Sequence, residues 1–166
     1  MIIKTKNLII RAITEKDIKG VIEVYNSNQD FLIHHIGKRE VSPEWLLQEQ
    51  REMSATNFRT LVVAENKSNT IIGFIDIDFT EECYLSLLMV HEAFRCRGYG
   101  KEIYDEIENY SRKHNLKGIR IDVACEYNEI VLQFWSNRGF KEIKGIKLQW
   151  ADKSFDAIVM KKYFEE

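Results

Sequence analysis

The feature that most constrains the fold is a strand-length apolar run that leads directly into a cationic, glycine-containing turn, at residues 85–101, LSLLMVHEAFRCRGYGK. The pattern predicts a strand, a turn over residues 95–100 and the start of an amphipathic helix. A helix start binds phosphate because its first backbone N–H groups lack intrahelical partners and carry partial positive charge. Gly98 and Gly100 let the backbone come close to phosphate oxygens. The stretch therefore predicts a site for a phosphate-bearing cofactor.

The charged residues of this turn add donors, and its glycine spacing narrows the class of cofactor. Arg95, Arg97 and Lys101 offer charge-assisted hydrogen bonds to phosphate. A Walker loop is excluded because Arg95 stands at its first glycine position and Glu102 follows the lysine. A dinucleotide-binding loop is excluded because Ile103 stands at its third glycine position. The pattern that remains is R-x-x-G-x-G.

This R-x-x-G-x-G pattern resembles the acetyl-CoA pyrophosphate loop of the GNAT superfamily of N-acetyltransferases. A second segment supports the resemblance, because Asn128 opens a predicted helix that ends at Gly139-Phe140, as in the family's helix that passes over the cofactor. The resemblance covers most of residues 60–163. It implies transfer of an acetyl group from acetyl-CoA to a primary amine of a small molecule or a protein by direct attack, with no metal.

The length of 166 residues suits a single domain, which we predict over residues 1–166. Helix and strand patterns predict a mixed α/β class, and Gly118 is predicted to end the helix that begins at residue 98. The resemblance implies a GNAT-like, mostly antiparallel twisted sheet of about seven strands with one parallel, splayed pair, flanked by about four helices. The predicted strands are residues 8–13, 59–65, 70–80, 84–90, 119–125, 140–150 and 155–163, and the helices begin near residues 14, 43, 98 and 128.

The resemblance also implies which residues hold the cofactor. In the family, the pantetheine arm pairs with backbone that is exposed where the two parallel strands separate, and Met89 and Val90 would offer that backbone here. A backbone N–H near the same two residues is the expected oxyanion donor. The predicted cofactor-binding residues are Met89, Val90, Arg95, Cys96, Arg97, Gly98, Tyr99, Gly100, Lys101, Asn128 and Trp135.

Protonation of the leaving thiolate is where this sequence departs from many members of the family. They carry a tyrosine seven residues after the helix asparagine, and here that position is Trp135, whose indole has no usable acid. Tyr127, Tyr99 or water would take over that role. The departure also leaves open a non-catalytic, acetyl-CoA-binding regulatory module.

The general base is expected among the carboxylates near the second parallel strand. Asp122 and Glu126 are the candidates, acting directly or through water, and Asp76 is a further candidate. The alternative for each is a solvated strand residue. The predicted catalytic residues are thus Asp122, Glu126 and Tyr127.

The acceptor pocket is expected beside residues 26–53, which form one of its walls in the resembled family. The candidates to line it are Phe31, His34, His35 and Trp45; the alternative places the tryptophan in the core and both histidines on the surface. Transfer of an acyl group longer than acetyl is left open. A group of carboxylates favours a cationic acceptor, although a solvated hairpin end explains these residues more simply. That group is Asp76, Asp78, Glu81 and Glu82.

Composition narrows the partners and the compartment. The net charge of −2, with both signs interleaved, argues against nucleic acid, and the sequence has no apolar run of the ~18 residues that a membrane span needs. Cys83, Cys96 and Cys125 lack C-x-x-C spacing, which predicts free thiols in a reducing cytoplasm. Cys96, between two arginines at a helix start, is expected to react fastest; the alternative is an unreactive loop residue. A homodimer is left open.

Overall fold

A computed structural model describes residues 1–125, 129–150 and 152–165 of the protein. Within these ranges eight strands form one sheet in the order β1-β2-β3-β4-β5-β6-β8-β7. Every neighbouring pair is antiparallel except β5 and β6, which are parallel. The predicted mixed α/β class is therefore confirmed. The strands are β1 Ile2–Lys4, β2 Leu8–Ala12, β3 Arg59–Glu65, β4 Ile71–Asp78, β5 Cys83–Val90, β6 Gly118–Ala124, β7 Lys141–Trp150 and β8 Lys153–Tyr163.

The helices begin close to where their capping signals predict. Ser42 accepts a hydrogen bond from the Trp45 N–H at 3.2 Å, and Pro43 takes the first helical position, where its missing N–H costs nothing. None of the described helices is long and apolar enough to cross a lipid bilayer. The helices are α1 Ile18–Ser27, α2 Gln29–Phe31 with a π-helical continuation Leu32–Ile36, α3 Pro43–Ser54, α4 Tyr99–Lys113 and α5 Glu129–Ser136.

The hydrophobic core lies on both faces of the central strands. On one face, Ile75 and Ile77 of β4 belong to the same cluster as Ile103 of α4. On the other face, Phe74 of β4 packs with residues of α1 and α3, including Tyr25 at a ring-centroid distance of 4.6 Å. Strand alternation explains this division, because successive side chains point to opposite faces of a sheet. Helices cover both faces, so β3 and β4 are almost entirely buried.

The parallel pair separates soon after it begins, as the resemblance implies. β5 and β6 pair at Cys83 with Ile119 and at Tyr84 with Arg120, and the rest of their described length forms no further rung. A bulge lies in the same stretch of β5, since Asp76 pairs with Leu87 while the next residue of β4 pairs with Leu85. The residue between these partners, at position 86, therefore has no residue opposite it on β4.

Two predictions of local structure were wrong. The first strand is Ile2–Lys4, which pairs with the predicted strand at Leu8–Ala12 and forms the edge of the sheet. Gly118 does not end a helix; α4 ends at Lys113, and Gly118 begins β6. Its lack of a side chain serves strand packing, because a Cβ there would lie 2.4 Å from the Lys162 carbonyl oxygen.

Candidate active site

A cavity of about 1110 Å³ lies where β5 and β6 separate, and it is lined from both faces of the sheet. On one face its walls come from α3 and the helical turns after α1, and on the other from α5 and the first turn of α4. The tip of the β7–β8 hairpin closes a further side with Trp150 and Phe155. A gap between two strands thus opens into a cavity large enough for an extended ligand.

The cationic turn stands at the mouth of this cavity, directly before α4. Residues 95–98 are exposed, and Cys96 and Gly98 have φ of 59° and 83°. Gly98 suits this left-handed conformation, and a Cβ on it would meet nothing within 4 Å. Gly100 lines the cavity, with Phe134 as the nearest side chain, 3.9 Å from the Cβ position. The open backbone at the start of a 15-residue helix fits a diphosphate.

The basic side chains of the turn take three different positions. Arg95 lines the cavity and donates to the side-chain oxygen of the buried Asn28. The Arg97 guanidinium lies 5.4 Å from the Phe94 ring centroid. Lys101 forms an ion pair with Asp105 one turn along α4. Arg97 is therefore the predicted donor that has no hydrogen bond or ion pair to another described residue.

The β5 backbone beside the gap is positioned by its other neighbour. Met89 and Val90 pair with Phe74 and Gly73 of β4, and both line the cavity. The side-chain amide of Asn28 donates to the Val90 carbonyl at 3.2 Å. The two residues predicted to face the pantetheine arm thus lie on the separated part of β5, where β6 forms no rung with them.

Comparison with known proteins decides the family. The sequence profile of the Acetyltransferase (GNAT) family matches residues 21–140, most of the chain. The chain belongs to this family. It is therefore an acyltransferase enzyme by family, as the R-x-x-G-x-G resemblance implied. No curated protein matches the sequence closely enough to count as a relative.

Solved structures of acetyltransferases share the whole fold of this family member. A GNAT-family acetyltransferase from Bacillus anthracis is 17% identical, with a TM-score of 0.77 and 98% of each chain covered. Spermidine N-acetyltransferase from Vibrio cholerae, solved with CoA and spermine, is 17% identical, with a TM-score of 0.72 and 96% of each chain covered. The PaiA N-acetyltransferase from Thermoplasma acidophilum, solved with coenzyme A, is 22% identical, with a TM-score of 0.67 over 95% of this chain and 99% of that one.

In this acetyltransferase, Asp122 lies in the cavity wall but its oxygens are already engaged. The Arg120 guanidinium donates to them twice, at 3.0 Å each, and the Tyr84 hydroxyl donates a third hydrogen bond. The Asp122 side chain is 3% exposed. Burial, followed by the bond to Asp122, raises the pKa of Tyr84 well above its usual value, so the phenol stays protonated. The cluster joins β5 to β6 at the point where they separate.

Asp76, the further candidate for the base, is not part of an exposed acidic group. It is 5% exposed, lies on β4 behind the cavity wall, and accepts a hydrogen bond of 2.5 Å from the Thr60 hydroxyl. Burial raises the pKa of Asp76 to about 7, against the opposing effect of the Thr60 bond. Thr60 in turn accepts from Gln50 of α3 at 2.8 Å. Asp76 is therefore not a solvated carboxylate, unlike the alternative expected for the group of residues 76–82. Glu82, from the same group, forms an ion pair with Lys161 of β8.

The acceptor end of the cavity has an aromatic wall. Phe31 and His35 both line the cavity and stack with ring centroids 4.4 Å apart, and Trp150 meets them edge-on. His35 is 5% exposed, so the alternative that places both histidines on the surface is wrong for it. The π-helical turn, which the sequence pattern does not predict, turns His35 inward while His34 stays exposed. Burial lowers the pKa of His35 to about 4, which keeps the ring neutral at neutral pH.

Three predicted site residues, Glu126, Tyr127 and Asn128, lie outside the described residues. Trp135, at the position of the family's tyrosine, is 8% exposed, lines the cavity and packs edge-on against Tyr104. Its ring is part of the core, so its position provides shape and no proton.

Neither Glu49 nor Asn28 is among the residues that the sequence predicts for the site, although both lie within the expected pocket wall of residues 26–53. Glu49 lines the cavity from α3, and Asn28 holds both Arg95 and the Val90 carbonyl. The helical spacing of Trp45, Glu49 and Met53 contained a signal for α3, because residues four apart share one face. No local pattern distinguishes Asn28 from any other helix-terminal asparagine.

Proposed function

We propose that the protein is an N-acetyltransferase that transfers the acetyl group of acetyl-CoA to a primary amine of a small molecule or a protein. The observation that carries the proposal is that the exposed, glycine-containing turn before α4 opens directly onto the gap between β5 and β6. The turn fits a diphosphate, and the gap offers unpaired backbone to an extended chain that ends in a thioester. Two structural neighbours were solved with coenzyme A.

The residues of the turn and of β5 would hold the donor. Backbone N–H groups at the start of α4 and the Arg97 guanidinium would bind the diphosphate, with Cys96, Gly98 and Tyr99 shaping the turn. Met89 and Val90 would present backbone groups to the pantetheine arm, and a freed N–H there would stabilise the oxyanion. Bound acetyl-CoA supplies a thioester carbonyl that a neutral amine can attack directly. Asn128, at the start of the helix that would pass over the cofactor, and Tyr127, as a candidate to protonate the leaving thiolate, are further proposed site residues.

The acceptor is proposed to be a cation that enters from the side of α3. The described residues that line this end carry carboxylates on Asp30, Glu49 and Glu52, whereas Arg95 lines the end near the phosphate turn. The stacked Phe31 and His35 rings supply apolar surface for the carbon chain of an amine. Three free cysteines among the described residues support a reducing, cytoplasmic location.

The proposal is tested by calorimetric titration with acetyl-CoA, followed by thiol release with a panel of amines that includes spermidine and a peptide with a free N-terminus. We expect binding, and thiol release that depends on the amine. The variant Gly100→Asp should weaken binding about tenfold or more, because it places a carboxylate where the diphosphate would lie. Gly145→Asp is the matched control, since Gly145 lies on the exposed strand β7 and a Cβ added there would meet nothing within 4 Å.

A second candidate function follows from Trp135, which replaces the family's acidic hydroxyl with a buried indole. A regulatory module would bind acetyl-CoA and release no thiol with any amine in the panel. Wild-type binding without release would favour this module, whereas no binding at all would overturn both functions.

A further inference from the structure

We propose that Glu49 of α3 is the general base, the carboxylate that takes the proton from the acceptor ammonium. The inference rests on the proposed function and adds a catalytic residue to it. Glu49 lies outside the turn, the parallel strands and the segment after β6, where the sequence places the chemistry.

A chain of hydrogen bonds anchors α3 beside the bulge of β5. Gln50 donates to the Thr60 hydroxyl at 2.8 Å, and Thr60 donates to Asp76 at 2.5 Å. Asp76 pairs across the sheet with Leu87, the residue that follows the bulge at position 86. Glu49 precedes Gln50, lines the cavity and interacts electrostatically with Asp76. It therefore lies at the level where the backbone of β5 is irregular and exposed to the gap.

Glu49 is half-buried, and it has no hydrogen bond or ion pair with any other described residue. Glu52 of the same helix affects the pKa of Glu49. The charge of Glu49 in turn raises the pKa of Asp76 of β4 and of Tyr25 of α1. Burial, and then repulsion from Glu52, raise the pKa of Glu49 above its usual value. A carboxylate without a cationic partner and with increased basicity is suited to accept a proton near neutral pH. The other titratable groups in the described cavity wall are Asp30, Tyr84, His35, Arg95 and Asp122.

The other described carboxylates of the cavity are less suited to this step. Asp122 already accepts three hydrogen bonds, two of them from a guanidinium. Glu52 is exposed and accepts from Gln48 at 2.9 Å, and Asp30 is exposed. Asp76 does not line the cavity. Glu49 is the half-buried carboxylate of the described wall that is free to meet an ammonium group.

The ammonium group of the acceptor gives one proton to a Glu49 oxygen, which leaves a neutral amine and a protonated carboxyl group. The amine nitrogen forms the C–N bond with the thioester carbonyl carbon, and the C–S bond breaks. The second nitrogen proton leaves with the thiolate as a thiol, and Glu49 returns its proton to water. The net products are the acetamide, the free thiol and one proton.

The test compares Glu49→Gln with Glu44→Gln, which removes an exposed carboxylate of the same helix that does not line the cavity. Thiol release is measured with spermidine, and with the N-terminal peptide, from pH 6 to pH 10. We expect Glu49→Gln to lower kcat about 100-fold or more near pH 7, the usual value of a general base, with acetyl-CoA affinity unchanged by calorimetry. The difference in kcat between Glu49→Gln and the wild type should shrink towards pH 10, because an amine of pKa about 10 loses its proton there without a base. Glu49→Asp should retain part of the activity.

Glu44→Gln should keep the wild-type kcat and pH profile. Asp76→Asn identifies any part of the pH profile that the buried carboxylate contributes. A Glu49→Gln enzyme with wild-type kcat, or with the same fractional loss at every pH, would overturn the assignment while the proposed function stands. A wild-type protein that releases no thiol with either amine would overturn the proposed function, and the assignment with it.

Discussion

The Tyr84 hydroxyl of β5 donates a hydrogen bond to Asp122 of β6. Asp122 lies two residues past Arg120, where the last backbone pairing joins the two strands. Arg120 completes the contact, since its guanidinium pairs with Asp122 and lies 4.4 Å from the Tyr84 ring centroid. Side chains thus hold together two strands whose backbones are separating. The cluster lies where the gap begins, at the point where an extended ligand could enter the sheet.

Removal of the Tyr84 hydroxyl should weaken the side-chain contact that joins β5 to β6. We expect Tyr84→Phe to lower the free energy of unfolding by about 1–3 kcal/mol, because the hydrogen bond to a buried, charged group is lost. Urea denaturation measures the change. Tyr163→Phe, at a position 64% exposed, is the control and should change stability little. Equal stabilities for the two variants would show that the cluster does not hold the strands.

The buried Asp76 should make stability depend on pH. Because its folded pKa is raised to about 7, its contribution is fully present below the unfolded value of about 4 and is lost as pH rises through 7. Asp76→Asn should therefore be more stable than wild type at pH 8, by up to about 4 kcal/mol, with the difference vanishing near pH 4. Urea midpoints at pH 4, 6 and 8 measure it. A stability difference between Asp76→Asn and the wild type that is the same at all three pH values would contradict the prediction.

The thiol in the cationic turn should be the most reactive. Cys96 is exposed between Arg95 and Arg97, Cys125 is also exposed, and Cys83 is buried. Exposed cysteines beside cationic side chains are alkylated faster than others, so we expect iodoacetamide to modify Cys96 before Cys125, and Cys83 last. Coenzyme A should protect Cys96 and leave the other rates unchanged. Peptide mass spectrometry over time gives the three rates, and equal rates without protection would contradict the prediction.

The Asn28 side chain should couple the end of α1 to cofactor binding. It donates to the Val24 and Val90 carbonyls and accepts from Arg95. We expect Asn28→Ala to weaken acetyl-CoA binding several-fold, roughly the value of one hydrogen bond of about 1 kcal/mol, since the β5 end and Arg95 lose their shared partner.

Calorimetric titration measures this effect. Asn26→Ala is the matched control, because the Asn26 side chain forms its hydrogen bonds with Val41 and none with the described residues of the turn. Equal acetyl-CoA affinities for the two variants would count against the coupling.

Much of the fold could be predicted from short stretches. The helix starts at residues 43 and 99 follow from a cap, a proline and a glycine turn, which act within one turn of helix. The hairpin of β3 and β4 follows from two β-rich runs around a polar turn. The missed edge strand Ile2–Lys4 is three residues long, too short for a period-two pattern to appear.

The candidate site also contains residues that the sequence locates and residues that only the tertiary structure places. The cofactor turn could be located because its glycines, its charges and its helix start are neighbours in sequence. The inward position of His35 and the burial of Asp76 could not, because a polar residue is buried only when distant elements cover it. The local pattern around each is also compatible with an exposed side chain.

The sequence by itself determined the strand–turn–helix unit at residues 85–101, the family, and the alternation that divides β4 between two faces of the core. Only the tertiary structure decided that β5 bulges beside Asp76 and that Tyr84 and Asp122 connect the splayed pair. It also decided that Glu49 lines the cavity with no hydrogen bond or ion pair to another described residue. The physical reason is how far apart along the chain the interacting residues lie. Helix starts and turns depend on torsions and hydrogen bonds between near neighbours, whereas strand register, burial and unpaired charge depend on residues tens of positions apart in the chain.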